Sequence, residues 1–150
     1  ARILGDGETI YLIAQRRSFP ITSYLSYALS KLGIRNILIG SAAGTDTETL
    51  SFATPRDAAL AISFTPYAAT TIGHARQLAA LGTPMVVITD SPFSPLVGEG
   101  RLWFEVVEAD FEGFRSLSAS LVLAMTLAVA VADYRRRRRS GADGFVDGQF

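Results

Sequence analysis

Along this chain, short fully apolar runs alternate with stretches whose apolar residues recur every three or four positions. Ile10-Tyr11-Leu12-Ile13-Ala14, Asn36 to Gly40, Ala58 to Ile62, Pro84 to Thr89 and Leu102 to Val107 are such runs, the last with Trp103 inside it. Their length and lack of polar alternation predict strands buried on both faces. From Ile21, the residues Tyr24, Leu25, Ala28, Leu29 and Leu32 keep helical spacing, and Gly33 closes the helix. Ala68, Ile72, Ala75, Leu78, Ala79 and Leu81 do the same ahead of Gly82, and Ala43 to Ala53 permits a short helix stopped before Pro55. A last long helix is expected from about Glu112 to Tyr134, while residues 1–9 read as a polar lead-in and no element.

Strands alternating with helices imply right-handed crossovers and a parallel sheet covered on both sides. The predicted fold is therefore α/β: a three-layer αβα sandwich on a five-stranded parallel sheet, in the flavodoxin-like order 2-1-3-4-5. Ligands of such sheets bind at the carboxyl ends of the strands, where the order reverses between the first and third. The loops there are Gln15-Arg16-Arg17-Ser18-Phe19-Pro20 and Ser63-Phe64-Thr65-Pro66, the two richest in hydroxyls and arginine. Thr65 before Pro66 has the form of an N-cap before a first helical proline, so a helix is expected from about Pro66. Such a turn aims free N–H groups and a helix dipole at one spot and suits phosphate; it is equally the form of an ordinary capped helix start.

Composition narrows the chemistry. At 150 residues, with hydrophobic residues making up 49% and no net charge, the chain is expected to form one domain with a real core and no global pull on polyanions. With no cysteine and His74 as the only histidine, disulfides, thiolate chemistry and Cys-based zinc are excluded, and any metal site would need carboxylates. Lys31 is the single lysine, placed on a helix surface, so lysine chemistry has one poor candidate. No cofactor or metal is expected. The chain opens on Ala1 without a signal-peptide pattern, and the expectation is a cytoplasmic protein and a fragment of a longer one.

Three stretches, IYLIAQRRSFPITSYLSYALSKLG, DAALAISFTPYAATTIGHARQLAALGTPMVVITDSPFSPL and FEGFRSLSASLVLAM, resemble the sugar isomerase (SIS) domain. In particular the chain is similar to the ligand-sensing half of RpiR/MurR-type bacterial transcriptional regulators, over about residues 8–134. The family's first loop is commonly glycine-rich and ends in a serine; here the glycines are replaced and Ser18 is kept. Its second loop reads Ser-x-Ser-Gly-x-Thr; here Ser63 matches, Thr65 replaces the second serine, Pro66 the glycine and Ala68 the threonine. These departures remove a close backbone approach and one hydroxyl donor. Arg16 and Arg17 could compensate through bidentate contacts to an anion, although surface arginines are often simply solvated.

The resemblance implies a domain that binds a phosphorylated sugar or related anion through Arg16, Arg17, Ser18, Ser63, Phe64 and Thr65. Glu112, at the position where family isomerases carry a base, and Arg115 complete the expected set; for Glu112 the alternative is an acid complementing a helix dipole. Asp90 and Ser91 end a strand on the same edge, with Ser91 the weaker donor candidate. His74, about two turns into its helix, is expected to face solvent or a neighbouring subunit. The resemblance further implies a homodimer or larger homo-oligomer, and a DNA-binding helix-turn-helix upstream, absent from this chain, so that DNA is reached only through that domain. The alternative function is a sugar-phosphate isomerase or related lyase using Glu112 as base.

Leu117 to Ala132 is almost unbroken apolar sequence, yet its 16 residues rise only about 24 Å, short of a hydrocarbon core of about 30 Å. No membrane is therefore expected; the helix reads as buried against its own sheet and against a partner subunit. The domain is expected to span residues 1–134, followed at 135–150 by a solvated arginine run and a flexible Gly/Asp-rich tail.

Overall fold

The computed structural model of the chain describes residues 1–143. Five parallel strands form the central sheet: β1 (Ile10–Ala14), β2 (Asn36–Leu38), β3 (Ala58–Ile62), β4 (Met85–Thr89) and β5 (Leu102–Glu105), in the order β2-β1-β3-β4-β5. The predicted order is thus observed, and Ala14 stands opposite Ile62 at the carboxyl ends of the two strands that flank the reversal. Every residue of β1, β3 and β4 is buried, as their unbroken apolarity requires of a sheet covered on both faces.

Successive residues of each strand feed opposite layers. Ile10, Leu12, Leu60, Ile62, Val86 and Ile88 pack with α2 (Phe19–Lys31) and α5 (Ser118–Asp143), on the face that also takes Leu4 of α1 (Arg2–Asp6). Tyr11, Ile13, Ala59, Ala61, Met85 and Val87 pack with α3 (Asp46–Leu50) and α4 (Ala69–Ala80). The central strand β3 carries alanine at 58, 59 and 61, which lets both helical layers approach it closely.

Four expectations are corrected. Residues 2–6 are a helix rather than a lead-in: a five-residue element is too short to show periodicity, and it is fixed from outside. Leu4 enters the core, Gly5 lies so close to the Tyr134 ring that a side chain there would collide, and Arg135 donates to the carbonyls of Gly5 and Gly7. The last helix begins at Ser118, not at Glu112. Ahead of it stands an antiparallel hairpin, β6 (Asp110–Phe111) and β7 (Phe114–Arg115), turned by Glu112 at φ 50° and Gly113 at φ 87°. Two consecutive positive φ values are what a two-residue hairpin turn demands.

At its far end α5 continues through the arginine run to Asp143, so this run is helical. Arg135 and Arg138 turn inward to α1, the latter pairing with Asp6, while Arg136 and Arg137 pair with Asp133. The remainder of the expected tail, 144–150, lies outside the described residues. The same extension defeats the length argument against a membrane span: Ser118–Gly141, 24 residues, is long and apolar enough to cross one. Its inner residues Ala124, Leu127, Ala128 and Val131 instead belong to the core of the sandwich.

Candidate functional site

Both strand-to-helix corners flanking the sheet's reversal point sit side by side. After β1, Gln15 leads into a single 3-10 turn, Arg16–Ser18, which runs directly into α2 with Pro20 in its first turn. Arg16 holds a left-handed φ of 55°, and Ser18 is buried. After β3, Ser63 and Phe64 are buried, and the chain crosses an irregular stretch before α4 starts at Ala69. Gln15, Arg16, Arg17, Ser18, Ser63, Phe64, Pro66 and Ala68 together line a cavity of about 150 Å³. The predicted meeting of Ser18 with the Ser63–Thr65 turn is therefore present in the geometry.

Arg17 organises the space. Its guanidinium lies 4.8 Å above the Phe64 ring, a cation–π stack. Arg17 and Phe64 also line a second cavity of about 230 Å³ with Asp90, Val106, Val107, Glu108, Asp110 and Arg115. One guanidinium nitrogen, Nη1, is shielded from solvent without a hydrogen-bond partner. Burial, followed by the charge of Arg115, pulls the Arg17 pKa below that of a free arginine, while Asp90, Glu108 and Asp110 act in the opposite sense. A shielded guanidinium nitrogen without a partner, set between two cavities, is costly unless something anionic or oxygen-bearing meets it.

The second corner differs from expectation. The helix starts at Ala69 rather than Pro66, and no side chain caps it. Thr65 does not act as an N-cap because its donors point elsewhere. Its N–H donates to Asp90 Oδ2 at 2.9 Å, its hydroxyl lies 3.4 Å from Asp90 Oδ1, and the Tyr67 hydroxyl donates to Asp90 Oδ1 at 2.9 Å. The Ala68 N–H instead reaches the Ser63 hydroxyl oxygen at 3.4 Å.

Arg115 comes to the site on the hairpin and not from the last helix. It pairs with Asp110 at 2.9 Å and donates to the Thr65 carbonyl, so the hairpin is tied across the second corner. Asp110, also hydrogen-bonded by the Gly113 N–H at 2.7 Å, is held below the usual carboxylate range chiefly by Arg115. Glu108 caps α5: its two oxygens accept from the Ser120 N–H at 2.7 Å and the Ala119 N–H at 3.3 Å. Burial pushes the Glu108 carboxyl up, but its contacts with Ser120, Ala119 and Ser116 outweigh that and leave it below the ordinary value.

The other candidates fall away from the cavities. Glu112 is the exposed tip of the hairpin, lines neither cavity and caps no helix. Ser91 uses its hydroxyl to accept from the Phe93 N–H at 3.1 Å, within its own loop. His74, expected at the surface, is buried on the inner side of α4; burial lowers its pKa and the charge of Asp46 opposes that. Lys31 ends α2 over the Tyr27 ring, far along the helix from the corner. Among the described residues no cluster of His, Asp or Glu has the makings of a metal site.

Tyr67, Glu108 and Asp110 join the site without any signal in the local sequence. Asp90 has a faint one: its place after a buried strand, in Ile88-Thr89-Asp90-Ser91-Pro92, puts a carboxylate beside the neighbouring corner.

Comparison with solved structures finds the same fold in regulators and in isomerase-like proteins. The sugar isomerase domain of an RpiR transcription factor from Sphaerobacter thermophilus superposes with a TM-score of 0.83 at 20% identity, over 99% of this chain and 83% of that one. The Vibrio vulnificus NanR protein complexed with ManNAc-6P gives 0.74 at 17% identity, over 95% of this chain and 54% of NanR. A Methanococcus jannaschii protein whose structure infers a 3-hexulose-6-phosphate isomerase function gives 0.70 at 13% identity, over 93% and 75%. At these identities the likeness is one of fold. No curated protein matches the chain. The SIS domain family, however, matches residues 3–130, nearly the whole described chain, and the chain belongs to the SIS domain family.

Proposed function

We propose that the chain is the sugar-phosphate-sensing domain of a cytoplasmic transcriptional regulator. It would act on DNA through a helix-turn-helix domain outside this sequence and through the geometry of a homodimer. The observation that carries the reading is Arg17: a guanidinium with a shielded, unpartnered nitrogen, stacked on Phe64 between two cavities at the sheet's reversal point. Arginine and buried serine hydroxyls are a donor set suited to a phosphate or sugar acid, and hydroxyl-bearing ligands can use the remaining polar rim. NanR, of the same fold, is described in complex with ManNAc-6P, a phosphorylated sugar.

A sensor also needs no free acid–base group, and the cavity carboxylates fit that. Asp90, Glu108 and Asp110 are each held by two or more donors of the fold, which suits structural roles better than proton transfer. The outer side of α5, apolar and exposed, supplies the surface for a second copy. For the ligand to switch such a dimer it must bind one arrangement better than the other.

Titration calorimetry with a panel of sugar phosphates tests this. Binding should be measurable, and Arg17→Ala and Ser63→Ala should each weaken it by about tenfold or more, the scale of one lost charge-assisted hydrogen bond. Unchanged affinity in both variants removes the site assignment. Turnover of a sugar phosphate that vanishes in Glu112→Gln would instead establish the isomerase reading.

A further inference from the structure

The donors of the second corner are already engaged by an anion, and that anion belongs to the protein. Thr65 N–H, Thr65 Oγ1 and the Tyr67 hydroxyl converge on the two oxygens of Asp90, which arrives from the end of the adjacent strand β4. A backbone N–H and two hydroxyls aimed at a pair of oxygens are the kind of set that receives a phosphate at such a turn. We propose that Asp90 is a tethered occupant of the anion seat at Thr65–Tyr67, and that a ligand's phosphate must displace it. This rests on the sugar-phosphate reading above for the identity of the ligand, though not for the existence of the seat.

Three features separate an occupant from a simple staple between strands. Asp90 and Tyr67 are only half-buried and Thr65 is exposed, so the contact is made near the surface and not in the core. Asp90 also lines the larger of the two corner cavities, whose wall carries Arg17 and Arg115 along with Glu108, held by the Ser120 and Ala119 N–H groups, and Asp110, paired with Arg115. A carboxylate leaving Thr65 therefore has room to turn into and, in Arg17, an unpartnered guanidinium nitrogen to meet. Finally, Arg17 has a nitrogen without a partner while a carboxylate stands in the same cavity wall. The charge that would satisfy Arg17 is engaged on the neighbouring turn.

The exchange gives the site its specificity. A ligand without an anion has nothing to offer Thr65 and Tyr67 in place of Asp90, and a monoanion merely replaces one carboxylate by another. A phosphate dianion brings more charge and more acceptor oxygens than the group it displaces, and it leaves the freed carboxylate beside Arg17 and Arg115. The site is thereby set against weak anions, at a cost in intrinsic affinity for the strong one.

The test is calorimetric titration of the 150-residue chain and its Asp90→Asn and Asp90→Ser variants with inorganic phosphate and with a hexose 6-phosphate, the fold of each being checked by circular dichroism. Both variants should bind inorganic phosphate about tenfold more tightly than wild type, a gain that Tyr67→Phe added to Asp90→Asn should reduce. Equal or weaker phosphate binding in the variants overturns the proposal and leaves Asp90 as a staple or a direct ligand contact. Amide resonances of the unmutated chain supply a measurement independent of folding. At saturating phosphate, Thr65 and Asp90 should shift together, and a shift confined to Arg17 and Ser18 overturns the proposal. If the variants bind inorganic phosphate more tightly while no form binds a sugar phosphate, the seat stands and the functional reading falls; the reverse pattern removes Asp90 and keeps that reading.

Discussion

Helix α5 has two apolar sides, and the fold covers one of them. Ala124, Leu127, Ala128 and Val131 face the sheet and are at most 7% exposed, whereas Val122 and Val129 on the other side are 59% and 64% exposed. The two sets are chemically alike and interleave along the same turns. Burial in this molecule is therefore decided by where a residue points and not by how apolar it is, and a helix apolar all round presents a second interface once its first is used. A broad concavity of about 1070 Å³ runs along the outer side, lined by Met125, Val129 and Ala130 together with Leu32 and Ile34, and also by Asp133, Arg135, Arg136 and Arg139. It shares no residue with the cavities at the corners, so on the function proposed above a second copy and a ligand would use separate surfaces.

The sharpest break of this comparison is a pair of truncations. Leu127→Ala should cost about 2–4 kcal/mol in urea unfolding, because it leaves a cavity between α5 and the sheet, while Val129→Ala should cost the isolated chain less than about 0.5 kcal/mol. Similar losses at both positions would mean that the outer side is already packed in the folded monomer. Next in size is the double variant Met125→Glu with Val129→Glu. Placing carboxylates on the outer side should raise the dissociation constant of the proposed dimer by about thirtyfold or more in sedimentation experiments, the equivalent of about 2 kcal/mol. The melting behaviour of the dissociated chain should hardly change. An unaltered oligomeric state would remove this surface from the dimer.

How much of this is legible in the sequence follows from what sequence patterns encode. The strands of the central sheet, their order and the position of the site at its reversal are properties of burial and crossover handedness, and runs such as Ala58–Ile62 carry that information directly. The corner residues Arg17, Ser18, Ser63 and Phe64 are legible for the same reason, since topology places them. What is not legible depends on contacts between residues distant in sequence. Thr65 looks like a cap until Asp90, 25 positions later, is seen to hold its donors. Phe111-Glu112-Gly113-Phe114 reads as a helix start, because the local apolar pattern carries no sign of the Arg115–Asp110 pair that closes the hairpin. The five residues of α1 lack any periodicity, and their helix is imposed by Tyr134 and Arg135 from the far end of the chain.

The smallest expected effect compares the two ends of α5. The basic end is tied down by two guanidinium groups, Arg135 and Arg138, reaching α1, whereas the amino end is tied down by one carboxylate, Glu108. Because the folded state holds the Glu108 pKa below its ordinary value, its contribution is fully present above about pH 4.3 and is lost as pH falls through the lower, folded value. Glu108→Gln should thus cost about 0.5–1 kcal/mol near neutrality, the scale of an N-terminal cap. The gap to wild type should narrow on acidification, as urea midpoints between about pH 6 and pH 3 would record. A gap that stays constant to the acid end would mean that the charge of Glu108 has no part in fixing the start of the helix, and no gap at any pH would mean that hydrogen bonding alone, which glutamine can supply, fixes it.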